Sequence, residues 1–183
     1  MEVGSIMYLV IVAIWLMLPA YIPNNCAALF GGGRPLDFGR NFRNGRRILG
    51  DGKTFRGTVL GALSGIFVGM AQNAIAPAWL PKFGEGLEMI SVLMALSFGA
   101  MLGDIVASFL KRRGGFERGE SVFLLDQLDF VFGSWALLLL LAPSWFYSNF
   151  TLRIIVIVLI VTPILHRLTN MLGYRIKVKK EPW

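Results

Sequence analysis

Five apolar runs dominate this chain, each close to the ~20 residues a helix needs to cross a hydrocarbon core roughly 30 Å thick. They cover 5–30, 57–76, 87–110, 122–142 and 152–172. Lipid offers no partner to a backbone N–H or C=O, so each run predicts a helix that satisfies its own backbone. The fold class that follows is an all-α integral membrane protein with five transmembrane helices, forming one domain over 1–183. Hydrophobic residues make up 55% of the chain and charged ones 16%, a balance that excludes an ordinary soluble domain. The first run reads as a permanent helix, because residues 1–5 carry Glu2 and no basic residue where a secretory signal has positive charge.

Lysine and arginine fall on one side of this pattern. Two long loops, 31–56 and 111–121, and the segment from Arg167 onward hold 16 of the 18 basic residues, leaving only Lys82 and Arg153 for the other side. The positive-inside rule then puts both loops and the C-terminus in the cytoplasm and the N-terminus outside, which an odd number of spans permits. Trp79, Trp145, Phe146 and Tyr147 are expected at the outer interface. A net charge of +7 is accounted for by topology and anionic headgroups, with no need of nucleic acid. Cys26 is the only cysteine and His166 the only histidine, so no cysteine or histidine metal cluster is available within the chain. His166 is expected to pack near the inner end of the last span. No internal repeat is visible, which argues against a transporter of inverted repeats.

Against this background, three carboxylates stand inside apolar runs: Asp104 in the third, Asp126 and Asp129 in the fourth. An ionised carboxylate within a span costs at least ~2.5 kcal/mol on insertion scales, so it persists facing water, a cation or a partner. Asp126 and Asp129 are spaced i, i+3 and share a helix face, as do Asp104, Ser108 and Lys111. At about 1.5 Å per residue, all three acids lie at a similar depth below the cytoplasmic surface. The short connection makes the two helices antiparallel neighbours. An oxygen-only donor set suits Mg²⁺, which takes carboxylates together with substrate phosphates. Lys111, Arg112, Arg113 and Arg118 crowd the rim above, with Lys53 and Arg56 from the other loop. The simpler alternative for a single acid is an intramembrane ion pair, such as Asp104 with Lys111.

The first loop contains GDGKT at 50–54, but position 47 is Arg where a P-loop has its first glycine, and no strand precedes it. What remains is a glycine-rich basic segment in which backbone amides can approach an anion, Lys53 and Arg56 can bind it, and Thr54 and Thr58 can donate to phosphate oxygens. Thr58 is expected to open the second helix, whose N-terminus favours negative charge.

The run from Gly103 to Asp129, with Ser108 ahead of Lys111-Arg112 and closing Asp126-Gln-Leu-Asp129, resembles the signature of the CTP:phosphatidate cytidylyltransferase superfamily. RGESVFLLDQLD stands where bacterial CDP-diacylglycerol synthases carry Pro-Gly-His-Gly-Gly and an arginine after the first closing Asp. With that departure, the compact length and the blocks FGGGRPLDFG and RRILGDGKTFRGT, the chain is similar to the archaeal CDP-archaeol synthases over nearly its whole length.

The resemblance implies transfer of CMP from CTP to the phosphate of 2,3-bis-O-(geranylgeranyl)-sn-glycerol 1-phosphate, releasing pyrophosphate, with Mg²⁺. It implies Asp104, Asp126 and Asp129 as metal ligands. Lys53, Arg56, Lys111 and Arg112 would hold the triphosphate or lipid phosphate, while Ser108, Thr54 and Thr58 donate hydrogen bonds. CTP, the ether-lipid phosphate and membrane lipids are the implied partners, with no obligatory protein partner evident. Two alternatives stay open: a CTP-dependent polyprenol kinase, which attacks a different phosphorus, and a cation- or proton-coupled transporter. The almost wholly apolar run 132–142 disfavours the transporter.

Overall fold

The computed structural model describes residues 5–43, 45–117, 120, 122–175 and 177. Arg118, Lys179 and Lys180, counted above among the basic residues, lie outside the described residues. Six helices follow in order: α1 Ile6–Phe30, α2 Phe55–Ile75, α3 Gly86–Arg113, α4 Leu125–Leu141, α5 Pro143–Asn149 and α6 Leu152–Arg175. Four of them, α1, α2, α3 and α6, are long and apolar enough to cross a membrane. At 17 residues, α4 would span about 26 Å. The flanks of the bundle expose large apolar side chains, among them Phe67, Ile75, Leu87 and Leu140, a surface suited to lipid.

Two prolines inside α1 set its packing. Pro19 and Pro23 have no N–H to give the carbonyls of Trp15 and Pro19 one turn earlier. Those orphaned acceptors are claimed from neighbouring helices: Gln72 Nε2 of α2 donates to the Trp15 carbonyl at 3.0 Å, and Ser97 Oγ of α3 donates to that of Pro19 at 3.2 Å. Both donor side chains are buried. Each proline therefore becomes an attachment point for another helix, as a membrane interior requires.

Small residues set the remaining distances. Gly61 and Gly65 of α2 face α1 so closely that a Cβ on Gly61 would lie 2.7 Å from the Pro23 carbonyl oxygen, and one on Gly69 would strike Leu93 of α3. The glycine stripe is thus used inside the bundle, closing helices by close backbone approach. Between α3 and α4, the most closely packed pair, a Cβ on Gly99 would meet the Gly133 carbonyl at 2.7 Å, and one on Gly103 would strike the Asp129 carbonyl. The glycines that join these helices lie beside the aspartates.

Three expectations are corrected. The fourth helix begins at Leu125, three residues after the expected start, and beyond its end at Leu141 Pro143 opens a separate short helix, α5, that the apolar runs did not predict, with proline suited to a first helical position. Trp145 and Phe146 turn inward, buried at 6% exposure each, and join Phe83, Trp135 and Phe150 in an aromatic plug, with Trp145 Nε1 donating to the Lys82 carbonyl at 3.1 Å; Tyr147 stays exposed. The third correction concerns the start of α2: Thr54, not Thr58, is its N-cap, accepting from the Gly57 N–H at 3.1 Å.

Candidate active site

The loop 31–54 owes its shape to one carboxylate. Asp37, whose side chain is fully buried, accepts from the N–H groups of Gly39, Leu49 and Gly50 at 3.0–3.1 Å and from the Arg47 guanidinium at 2.8 and 3.2 Å. Burial by itself would raise its pKa, but the bond from Arg47 and those from the three amides outweigh it and hold the carboxyl well below the usual range. Arg47 also reaches Asp51 at 2.6 Å. The ends of the loop are tied by Leu36 N–H donating to the Lys53 carbonyl at 2.8 Å and by a bridge between Pro35 and Thr54. Arg113 docks the loop on α3: it donates to the Arg47 carbonyl at 3.0 Å and stacks over Phe42 at 4.2 Å.

So held, the loop delivers Lys53 to α3, where its ammonium is ion-paired with Asp104. Around this pair lies a polar cavity of about 110 Å³ lined by Asn24, Lys53, Thr54, Thr58 and Asp104. The preceding residues Gly50 and Asp51 line a second, more open cavity of about 300 Å³ together with Arg46, Arg47, Arg112 and Phe116. The segment Gly50-Asp51-Gly52-Lys53 thus borders both spaces. Gly50 has φ +95°, a conformation glycine adopts without strain, which the turn into this segment requires.

Lys111, in the last turn of α3, binds both carboxylate oxygens of Asp126, at 2.9 and 3.0 Å, and the Glu120 carbonyl at 2.9 Å. Asp126 sits in the first turn of α4, where the helix dipole favours an anion, and it accepts from the Val122 N–H at 2.9 Å. Asp129, one turn deeper, accepts from the Phe130 N–H at 2.6 Å and lies within Coulombic range of Asp104, Lys53 and Asp126. It forms no salt bridge among the described residues.

The structure therefore gathers Asp104, Asp126, Asp129, Lys53 and Lys111 into one electrostatic unit, with Thr54 and Thr58 in the cavity beside it. The acids pair with different lysines from the alternative raised by the sequence: Asp104 takes Lys53, and Lys111 takes Asp126. Arg112 faces the second cavity, Ser108 is buried within the bundle, and Arg56 is exposed on the first turn of α2 with no ion pair among the described residues. No three His, Cys, Asp or Glu side chains among the described residues close into a ready-made metal cage. The donor chemistry fits Mg²⁺ nonetheless, being hard oxygen throughout, with Asp129 carrying no competing salt bridge. Two contributors went unread in the sequence. Asp37 was signalled only by Asp-Phe-Gly, an Asx-turn pattern; Asn24, in the polar cavity, had no local signal.

The comparisons with known proteins agree with one another. A family model described as CarS-like CDP-archaeol synthase matches residues 6–183. The chain is 51% identical over 176 residues to the CDP-archaeol synthase of Halobacterium salinarum, covering 95% of this chain and 97% of that protein. It is likewise 51% identical over 180 residues to that of Methanosarcina barkeri, covering 91% and 100%. A solved structure described as an intramembrane enzyme for archaeal membrane lipid biosynthesis superposes with a TM-score of 0.71 at 36% identity, over 87% of this chain and 92% of that one. The chain is a multi-pass membrane protein and belongs to the CDP-archaeol synthase family.

Proposed function

We propose that the protein transfers CMP from CTP to the phosphate of 2,3-bis-O-(geranylgeranyl)-sn-glycerol 1-phosphate, giving the CDP-activated ether lipid and pyrophosphate. The observation that carries this reading is the Lys53–Asp104 pair in a polar cavity at the start of α2, inside an apolar bundle. A phosphate monoester is already anionic near neutrality. Its oxygen attacks the α-phosphorus of CTP, a P–O bond forms, and the bond from that phosphorus to the β-phosphate bridging oxygen breaks. Pyrophosphate leaves with the electron pair.

No proton needs to be removed by a dedicated base, so the residues act by alignment and charge. Lys53 has three N–H donors and can bind phosphate oxygen while holding Asp104. The hydroxyls of Thr54 and Thr58 and the N-terminus of α2 offer further donors to an anion in the small cavity. The open cavity, with Arg46, Arg47 and Arg112, has room for the rest of the nucleotide. Lys111 fixes the relative position of α3 and α4, and with it Asp126 and Asp129. Mg²⁺, held by Asp104, Asp126 and Asp129, would neutralise charge on the phosphate oxygens.

Five spans place the N-terminus outside and the site toward the cytoplasm in this reading, with α4 as the fifth crossing element. The one-sided distribution of lysine and arginine supports that orientation, and CTP then enters from the cytoplasm.

The test is pyrophosphate release from CTP by purified protein in detergent, with and without Mg²⁺, offered the ether-lipid phosphate, phosphatidic acid or a polyprenol. Metal-dependent pyrophosphate with the ether-lipid phosphate is expected. CDP formed on the polyprenol would replace this reading with a kinase, and silence with every lipid would remove it.

A further inference from the structure

Resting on that function, we propose that Asn24 reads the glycerol-phosphate junction of the lipid substrate, and that the cavity between α1, α4 and α6 receives the start of its hydrocarbon chains. This third cavity holds about 270 Å³ and is mostly apolar, lined by Leu18, Tyr21, Ile22, Phe130 and Leu165 among others. It reaches the polar site from two directions. Asn24 lines both this cavity and the one containing Lys53 and Asp104. Phe130, whose ring packs edge-on against Tyr21 at 5.7 Å, gives its backbone N–H to Asp129. Polar and apolar spaces therefore meet at α1, one residue past Pro23.

At that junction Asn24 is half-buried. Its Oδ1 is buried without a partner, whereas the adjacent Asn25 donates to the Tyr21 carbonyl at 3.2 Å. A buried acceptor with no partner is destabilising, and no group among the described residues compensates it. A lipid phosphate supplies what is missing. Its ether oxygens accept from an amide N–H, and its phosphate, when singly protonated, donates to an amide oxygen. Both groups sit where the polar end of the molecule joins its chains, which is where Asn24 sits between the two cavities. An apolar side chain at this position would fill the same space and read nothing.

The test compares Asn24→Leu and Asn24→Ser with the unaltered protein in detergent. The readouts are the melting temperature alone, its rise on adding the ether-lipid phosphate without CTP, its rise on adding CTP without lipid, and KM for each substrate. Asn24→Leu removes an unsatisfied buried carboxamide oxygen, so the ligand-free protein should melt higher. The lipid-induced rise should be lost and KM for the lipid raised about tenfold, with KM for CTP unchanged within about twofold. Asn24→Ser, which keeps a donor and an acceptor, should recover part of the lipid affinity. A lower melting temperature for Asn24→Leu would reveal a structural partner for the amide and overturn the proposal, as would equal loss of CTP and lipid affinity or an unchanged lipid response. If the unaltered protein binds the lipid phosphate yet releases no pyrophosphate, the catalytic reading fails while the melting data still decide the role of Asn24.

Discussion

Lys111 Nζ lies 2.9 and 3.0 Å from the two carboxylate oxygens of Asp126, joining the last turn of α3 to the first turn of α4. Both side chains are mostly buried, at 14% and 23% exposure. Removing one partner leaves a charge with little solvent, which costs far more than the pair contributes.

Lys111→Met should therefore raise KM for CTP about tenfold or more while the protein still inserts and runs as a single species on size exclusion. Asp126→Asn should do comparable damage, and the double substitution should be less than additive because the two act as one unit. Steady-state kinetics on the four proteins checks this. Unchanged CTP dependence in Lys111→Met would remove the lysine from the nucleotide site.

Asp104→Asn and Asp129→Asn keep shape and lose charge. Each should lower turnover by about a hundredfold or more; Asp129→Asn, which breaks no salt bridge, should melt as the unaltered protein does, whereas Asp104→Asn leaves Lys53 unpaired and should melt lower. A chelator should abolish activity of the unaltered protein and added Mg²⁺ restore it. Near-normal turnover in either variant over a Mg²⁺ titration would exclude that aspartate from the metal shell.

Asp37→Asn should loosen the first loop without touching substrate. Bonds to an ionised acceptor contribute about 1.5–3 kcal/mol, so protease cleavage within 31–54 should become markedly faster and KM for CTP should rise through poorer placement of Lys53. The pH sign follows from the depressed pKa of Asp37. Its stabilisation is fully present above the ordinary value of 3.8 and fades as pH falls toward the lowered one. Loop cleavage rates corrected for protease activity should thus be flat from pH 5 to 8 in the unaltered protein as far as Asp37 is concerned.

Gly103→Ala adds one methyl where the Asp129 carbonyl already sits. The helices must separate, at about 1–3 kcal/mol, and the acids move apart with them. The variant should melt lower and lose activity beyond what stability explains. Gly52→Ala, where a Cβ meets nothing within 4 Å, should melt as the unaltered protein does.

The five long helical segments were legible in the sequence within a few residues because an apolar run in lipid has one solution that satisfies its backbone; the short α5 was not. The nearness of Asp104 and Asp129 on adjoining helices was legible as well, since helical rise converts sequence position into distance along an antiparallel pair. The pairing of Lys53 with Asp104, 51 residues apart, was not, because either lysine could reach either acid until the loop was folded on Asp37. Nor was the inward turn of Trp145 and Phe146, which depends on Pro143 starting a new helix against Phe83 and Phe150. The glycine stripe of α2 was visible, but its partner was not: bundle and subunit contacts want the same small residues.

The sequence by itself determined a helical membrane protein with acids set inside apolar helices near basic loops, because hydropathy, charge and spacing act locally along the chain. Tertiary structure decided which charges meet. Two prolines in α1 leave carbonyls that Gln72 and Ser97 reach, glycines bring α3 and α4 close enough to set Asp104 and Asp129 in one field, and Asp37 folds the loop that carries Lys53 to them. Those choices depend on backbone groups far apart in sequence needing partners where water is absent.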